Sequence, residues 1–138
     1  MEQKFIVLGK PASKARPRFN TKTGHAVTPT KTQNAEMRIR VAYRDQCGFG
    51  IISAVSYLAV DIKAYFPVGK GDSKDVRAKK LQGLIKPDKK PDIDNIVKVY
   101  LDALNHYAWN DDKQVIEVFA SKAYCEGEGK VEVTIREI

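Results

Sequence analysis

The chain is poor in the residues that build disulfide scaffolds or cysteine–histidine metal centres: its 138 residues include two cysteines and two histidines. Cys47 and Cys125 are far apart in sequence and show no metal-type spacing, so both read as reduced packing thiols. His25 and His106 have no partner at ligand spacing and read as surface or packing residues. Long apolar runs are missing too. None approaches the roughly 18 consecutive apolar residues of a membrane span, and the short run in MEQKFIVLGKP, ended by Pro11, does not suit a secretory signal. A cytoplasmic protein without membrane contact is expected. There is no internal repeat and no low-complexity tract. At this length, with 43% apolar residues, a single domain over residues 1–138 is expected.

Negative charge is the most telling shortage. No acidic residue falls between Glu2 and Glu36, an interval that holds Lys4, Lys10, Lys14, Arg16, Arg18, Lys22 and Lys31. A second stretch, 70–90, sets Lys70, Lys74, Arg77, Lys79, Lys80, Lys86, Lys89 and Lys90 against Asp72, Asp75 and Asp88. The formal net charge is +7. Such segments attract a polyanion by releasing its condensed counterions, whatever its sequence, although a basic surface also serves solubility. Lys14, Arg16 and Arg18 lie on an arm interrupted by Pro17, a better setting for phosphate contacts than a solvated helix face.

The pattern of elements predicts an α+β domain with a mixed sheet of about four strands and about three helices. Lys4–Leu8 suits a first strand. Pro11, Pro17, Gly24 and Pro29 break any regular pattern in Lys10–Thr30, which reads as a long basic arm. A helix is expected from Thr30 to about Gln46, capped by Thr30 or Thr32 with Met37, Ile39 and Val41 as its apolar stripe. Leu58, Val60, Ile62 and Ala64 alternate with polar neighbours in a strand over about Ser56–Phe66. A short basic helix over about Asp72–Leu81 and an extended linker at Lys86–Pro91 come next. From Asp94 to about His106, Ile96, Val97, Tyr100, Leu101 and Leu104 form a helical stripe, with Asp94, Lys98 and Asp102 on another face. Gln114–Ala123 and the alternation Val131, Val133, Ile135 read as two last strands, with Gly127 and Gly129 suggesting a hairpin between them.

The chemistry concentrates around that last helix. Asp92 and Asp94 flank Ile93 at its start, where two residues in extended geometry point to one side and the helix dipole favours anions. Asp111 and Asp112 lie on the loop before the next strand. Carboxylates converging from these two segments suit Mg²⁺ or Mn²⁺, with water and phosphate oxygens in the remaining positions. Lys98, one turn beyond Asp94, can steady charge on a phosphate, and Asn95 can support a carboxylate from behind. Each feature also has a plain structural explanation: Asp94 as a helix cap, Asp94–Lys98 as an i,i+4 ion pair, NDD as a turn. Trp109 reads as a core or dimer-interface anchor, with base stacking as the functional alternative.

Residues 86–119, KPDKKPDIDNIVKVYLDALNHYAWNDDKQVIEVF, resemble the active-site region of the RusA family of Holliday junction resolvases, found in bacteria and their prophages. The shared pattern is Asp92-Ile93-Asp94-Asn95 with Lys98, then Asp102-Ala103-Leu104, then Asp111-Asp112-Lys113-Gln114-Val115. GKPASKARPRF and the AYFP at Ala64–Pro67 also resemble family segments. The resemblance implies a homodimer that binds a four-way DNA junction and nicks two strands symmetrically with Mg²⁺ or Mn²⁺, in DNA recombination and repair. It places metal carboxylates on Asp92, Asp94 and Asp112 and the essential lysine on Lys98. The segment before Asp111 is a residue shorter than in some relatives and carries His106 where glycine is common, which leaves Asp111 open as the third ligand. Lys14, Arg16, Arg18, Lys89 and Lys90 are the expected DNA contacts. Two other functions use the same features: a branched-DNA nuclease without strict junction preference, and a DNA-binding protein that has lost catalysis. Retention of Asp92, Asp94, Lys98 and Asp112 argues against the latter, because anions facing DNA do not help binding.

Overall fold

A computed structural model describes residues 2–12, 18–20, 22, 24–27 and 30–138, with the backbone alone for 18–20 and 25–27. Four strands form the main sheet: β1 (Glu2–Leu8), β4 (Leu58–Pro67), β5 (Val115–Cys125) and β6 (Lys130–Glu137), in the order β1-β6-β4-β5. β6 runs antiparallel to both of its neighbours, and β5 runs parallel to β4. Three helices complete the expected α+β architecture: α1 (Thr30–Cys47), α2 (Lys74–Leu81) and α3 (Ile93–Leu104). Among the described residues, no helix is long and apolar enough to cross a membrane.

Period-two alternation decides which face of the sheet is covered. Phe5, Val133, Ile62 and Ala120 occupy one cross-strand row, and the first three are buried under α1 and α3. The next row, Lys4, Thr134 and Asp61, faces the other way, where Arg136 approaches Asp61 at 3.8 Å. The helix stripes are rotated from their expected positions. In α1 the buried residues are Thr32, Ala35, Ile39 and Tyr43; of the expected stripe only Ile39 is core, and Met37 is 58% exposed. Thr30 is already the first helical residue and Thr32 is buried in the first turn, so neither caps the helix. In α3 the buried set is Ile96, Val99, Tyr100, Ala103 and Leu104, while Val97 and Leu101 are half-buried. α3 packs on α1 as well as the sheet. Small Ala103 lets α1 come close enough for Arg40 Nε to donate to its carbonyl at 2.9 Å.

Two further corrections concern connections. The basic arm is not without regular structure: Arg18–Asn20 (β2) and His25–Val27 (β3) pair antiparallel. The last two strands do not form a hairpin, because β6 inserts on the opposite side of β4 from β5. The chain crosses the end of β4 to get there, and Gly129 allows the crossing. A Cβ at Gly129 would lie 3.0 Å from the Tyr65 carbonyl oxygen and 3.2 Å from that of Gly9. Both cysteines are free thiols, and burial pushes the Cys47 thiol up from its ordinary pKa.

Candidate active site

Helix α3 begins where the basic linker ends. Asp92 has extended backbone (φ −69°, ψ 152°), and its carbonyl accepts from the Asn95 and Ile96 N–H groups, each at 3.1 Å. Asp92, not Asp94, is therefore the N-cap residue, yet its carboxylate makes no capping hydrogen bond. Such a bond typically contributes about 1 kcal/mol. Asp94 is exposed in the first turn, already helical, so extended geometry holds for Asp92 alone. Lys98 is exposed one turn further on. Among the described residues, the side chains of Asp92, Asp94 and Lys98 take part in no hydrogen bond or ion pair, including the i,i+4 pair open to Asp94 and Lys98.

The second acidic segment lies beyond the other end of α3. Tyr107 and Ala108 donate their N–H groups to the Leu104 carbonyl at 3.0 and 2.9 Å, turning the chain so that Trp109 is fully buried in the core. That burial removes Trp109 as a base-stacking platform. His106 takes a positive φ of 69° within the turn, a conformation that favours glycine. Asp111 is used locally: it caps a 3₁₀ turn over Asp112–Gln114, its carboxylate accepting from the Lys113 N–H at 3.0 Å. Asp112 differs. One of its carboxylate oxygens accepts from the Trp109 indole N–H at 2.8 Å, and among the described residues it has no other side-chain partner.

Gln114 holds this loop in place and was not singled out from the sequence beyond its place in the x-Q-V motif. It is 5% exposed. Its Oε1 accepts from the Asn110 and Asp111 N–H groups at 2.9 and 3.0 Å, and its Nε2 donates to the Ser53 and Ser56 carbonyls, both at 3.0 Å. The amide thus fastens the acidic loop to the segment leading into β4, with every hydrogen-bonding position filled.

Residues 9–136 match the family Endodeoxyribonuclease RusA. The chain belongs to the RusA family. The uncharacterized protein YqaN of Bacillus subtilis (strain 168) is 37% identical to it over 139 residues, covering 98% of this chain and 96% of YqaN. RusA membership supports a nuclease role on Holliday-junction or other branched DNA. Both acidic segments fall inside the matched residues.

The divalent cation implied by the RusA resemblance meets a geometric test here. Among the described residues, no group of three or more Asp, Glu, His or Cys side chains is placed to hold a metal ion. The cause is α3 itself, which at 1.5 Å per residue is about 18 Å long. Asp92 and Asp94 stand at its start, whereas Asp112 is bonded to Trp109 past its end. The expected convergence of three carboxylates does not occur within one chain. The pair Asp92 and Asp94 nevertheless fits a hard cation: Mg²⁺ is commonly held by one or two carboxylates, with water and phosphate oxygens completing the shell.

Of the expected DNA contacts, Lys89 and Lys90 are exposed on the linker. Lys122 Nζ ties that linker to β5 by donating to the Lys89 carbonyl at 2.8 Å. Lys14 and Arg16 lie outside the described residues; Arg18 is on β2, with its side chain outside them.

Proposed function

We propose that two copies of this chain resolve a four-way DNA junction by paired, symmetric nicks, with Asp92, Asp94 and Asp112 as the carboxylates for Mg²⁺ or Mn²⁺ and Lys98 beside them. One observation carries this reading. The three functional side chains of the Asp92-Ile93-Asp94-Asn95…Lys98 helix are exposed and unused by the fold, although a cap and an ion pair were open to them. Charged groups kept free of internal partners are available to a ligand. Asp92 and Asp94 would hold the cation, which when bound supplies positive charge against the phosphate. Lys98 adds a fixed ammonium where negative charge builds on the phosphoryl oxygens. Asp112 is chosen over Asp111 because Asp111 is occupied in capping, while Asp112 keeps one oxygen free.

Support for a homodimer comes from the edge of the sheet. β5 is an edge strand of 11 residues, and Ile116, Val118 and Phe119 on it are exposed. An unprotected apolar edge of this kind favours pairing with another strand. Pairing with the same strand of a second copy about a two-fold axis runs antiparallel. Asp112, just ahead of Val115, then approaches the far end of the other β5. There the second copy carries its own Lys89–Asp94 segment, tied down through Lys122. Two equivalent sites result, as a junction with two symmetry-related strands requires.

The test uses labelled four-way, Y-shaped and linear duplex DNA, with and without Mg²⁺. Paired nicks on the four-way junction are expected, abolished in Asp92→Asn, Asp94→Asn and Asp112→Asn while junction binding persists. Any of these variants cutting at the wild-type rate removes that residue from the site. Equal cutting of Y-shaped and four-way DNA replaces the resolvase by a general branched-DNA nuclease.

A further inference from the structure

A surface not covered by the sequence analysis lies directly beside Asp92. One groove, of about 490 Å³, is lined by Lys10, Lys31, Arg38, Lys90 and Pro91 together with small and polar residues. A second, of about 230 Å³, is lined by Lys89 with Lys10 and Lys90 again. The two hollows share Lys10 and Lys90, so they form one continuous channel on either side of that pair. No acidic residue lines either of them. Lys10, Lys31, Lys89 and Lys90 have no ion-pair partner among the described residues, in contrast with Lys79 and Lys80, which are paired to Asp75 and Asp72.

The channel is also held in shape. Arg38 Nη2 donates to the Leu8 carbonyl at 2.9 Å. Gly9, at φ +107°, permits this approach, since a Cβ there would lie 2.9 Å from the same nitrogen. The far wall is the linker fixed by Lys122. The start of α1 adds to the field. Its first turn carries no acidic residue, whereas the first turns of α2 and α3 carry Asp75 and Asp94. The positive end of the α1 dipole is therefore left uncompensated beside Lys31, a setting that favours phosphate.

We propose that this channel is the track for a DNA backbone leading to Asp92, with Lys10, Lys31 and Arg38 as phosphate-binding residues alongside Lys89 and Lys90. The proposal rests on the DNA-nuclease reading and specifies where on the chain the substrate lies. Phosphate contacts of this kind position the strand and carry no sequence information, so the channel grips junction arms irrespective of their sequence.

The experiment measures binding of the full chain to a fluorescent four-way junction in EDTA, across a salt series. Lys10→Ala/Lys31→Ala is compared with Lys4→Ala/Lys63→Ala, which removes the same charge from the opposite face of the sheet. Two lost phosphate contacts should lower the slope of log K against log salt by about 1.8, with at least about tenfold weaker binding at moderate salt. The Lys4/Lys63 variant should keep the wild-type slope. Equal losses in both variants, or wild-type binding by Lys10→Ala/Lys31→Ala, overturn the channel while leaving the nuclease reading intact. Failure of the wild-type chain to bind any DNA overturns both. Melting temperatures of the variants separate lost contacts from lost folding.

Discussion

Gln114 offers the sharpest test of how the acidic loop is held. Its amide makes four hydrogen bonds at 2.9 to 3.0 Å in a site that is 5% exposed. At about 0.5–1.5 kcal/mol net per bond, Gln114→Ala should cost roughly 2–6 kcal/mol, near the upper end if water cannot reach the orphaned groups. For a domain of this size that corresponds to roughly 10 °C or more in melting temperature. Gln114→Glu isolates the Nε2 half of the interaction. It keeps an acceptor for Asn110 and Asp111 but turns an oxygen toward the Ser53 and Ser56 carbonyls. The ionised form is disfavoured there, so the folded-state pKa of the new carboxyl rises above its unfolded value of about 4.3. A raised acid pKa means that the folded state holds the proton more tightly. The variant is then closest to wild type below about pH 4.3 and loses stability as pH rises through the folded value. Urea titrations at pH 5 and pH 8 should show the gap between Gln114→Glu and wild type widening by about 1 kcal/mol or more. If Gln114→Ala unfolds within about 0.5 kcal/mol of wild type, the amide does not hold the loop.

Other outcomes follow from the same geometry. Lys98→Ala should slow junction nicking on the order of 10²-fold with melting and junction affinity nearly unchanged; a rate near wild type would reject the catalytic role. Trp109→Phe removes the indole N–H that orients Asp112 and should reduce nicking beyond what its lower stability explains, as judged by assays well below its melting temperature. Unchanged turnover would show that the bond is structural only. His106→Gly relieves a positive φ of 69° and should raise stability by a few tenths to about 1 kcal/mol in urea unfolding, despite losing the ring contact to the Asn110 carbonyl; clear destabilisation would refute the strain argument. Lys80, 2.7 Å from Asp72, holds that carboxyl below its ordinary pKa. The pair's contribution is therefore complete above about pH 4 and fades as pH falls through the lowered value. Asp72→Asn should lose stability at neutral pH and converge on wild type in acid; a constant difference across pH would refute this.

Strands and helices were legible where one residue pattern has one physical outcome. Leu58, Val60, Ile62 and Ala64 must share a face of β4, and all are buried. The start of α2 was readable from Ser73, whose side chain accepts from the Val76 N–H at 3.3 Å. Topology was not readable in this way. Gly127 and Gly129 look like hairpin glycines, but alternation in β6 fixes only which face is buried, not which side of β4 the strand joins. The α1 stripe failed for a related reason: a mainly polar helix packed on both β1 and α3 is positioned by Ala35 and Tyr43 as much as by its aliphatic residues. Gln114 depends on carbonyls 61 and 58 residues away, a relation that no local pattern reveals.

For the acidic helix the sequence was ambiguous between structure and chemistry, and its neighbours decide the matter. Asp92 at a helix N-cap is what helix stability alone would select. If stability were its role, its carboxylate should bond the first turn as the other described caps do. Ser73 accepts from Val76 at the start of α2, and Asp111 accepts from Lys113 at the start of the 3₁₀ turn. Asp92 occupies the equivalent position with suitable backbone angles and makes no such bond. Asp94 and Lys98 likewise decline the ion pair that Asp75 and Lys79 form at 3.0 Å with the same i,i+4 spacing in α2. Within one chain, the structural uses of these residue types are taken wherever they arise in α2 and the 3₁₀ turn, and left untaken at the start of α3. That contrast favours a ligand outside the fold as the reason for the Asp92, Asp94 and Lys98 arrangement.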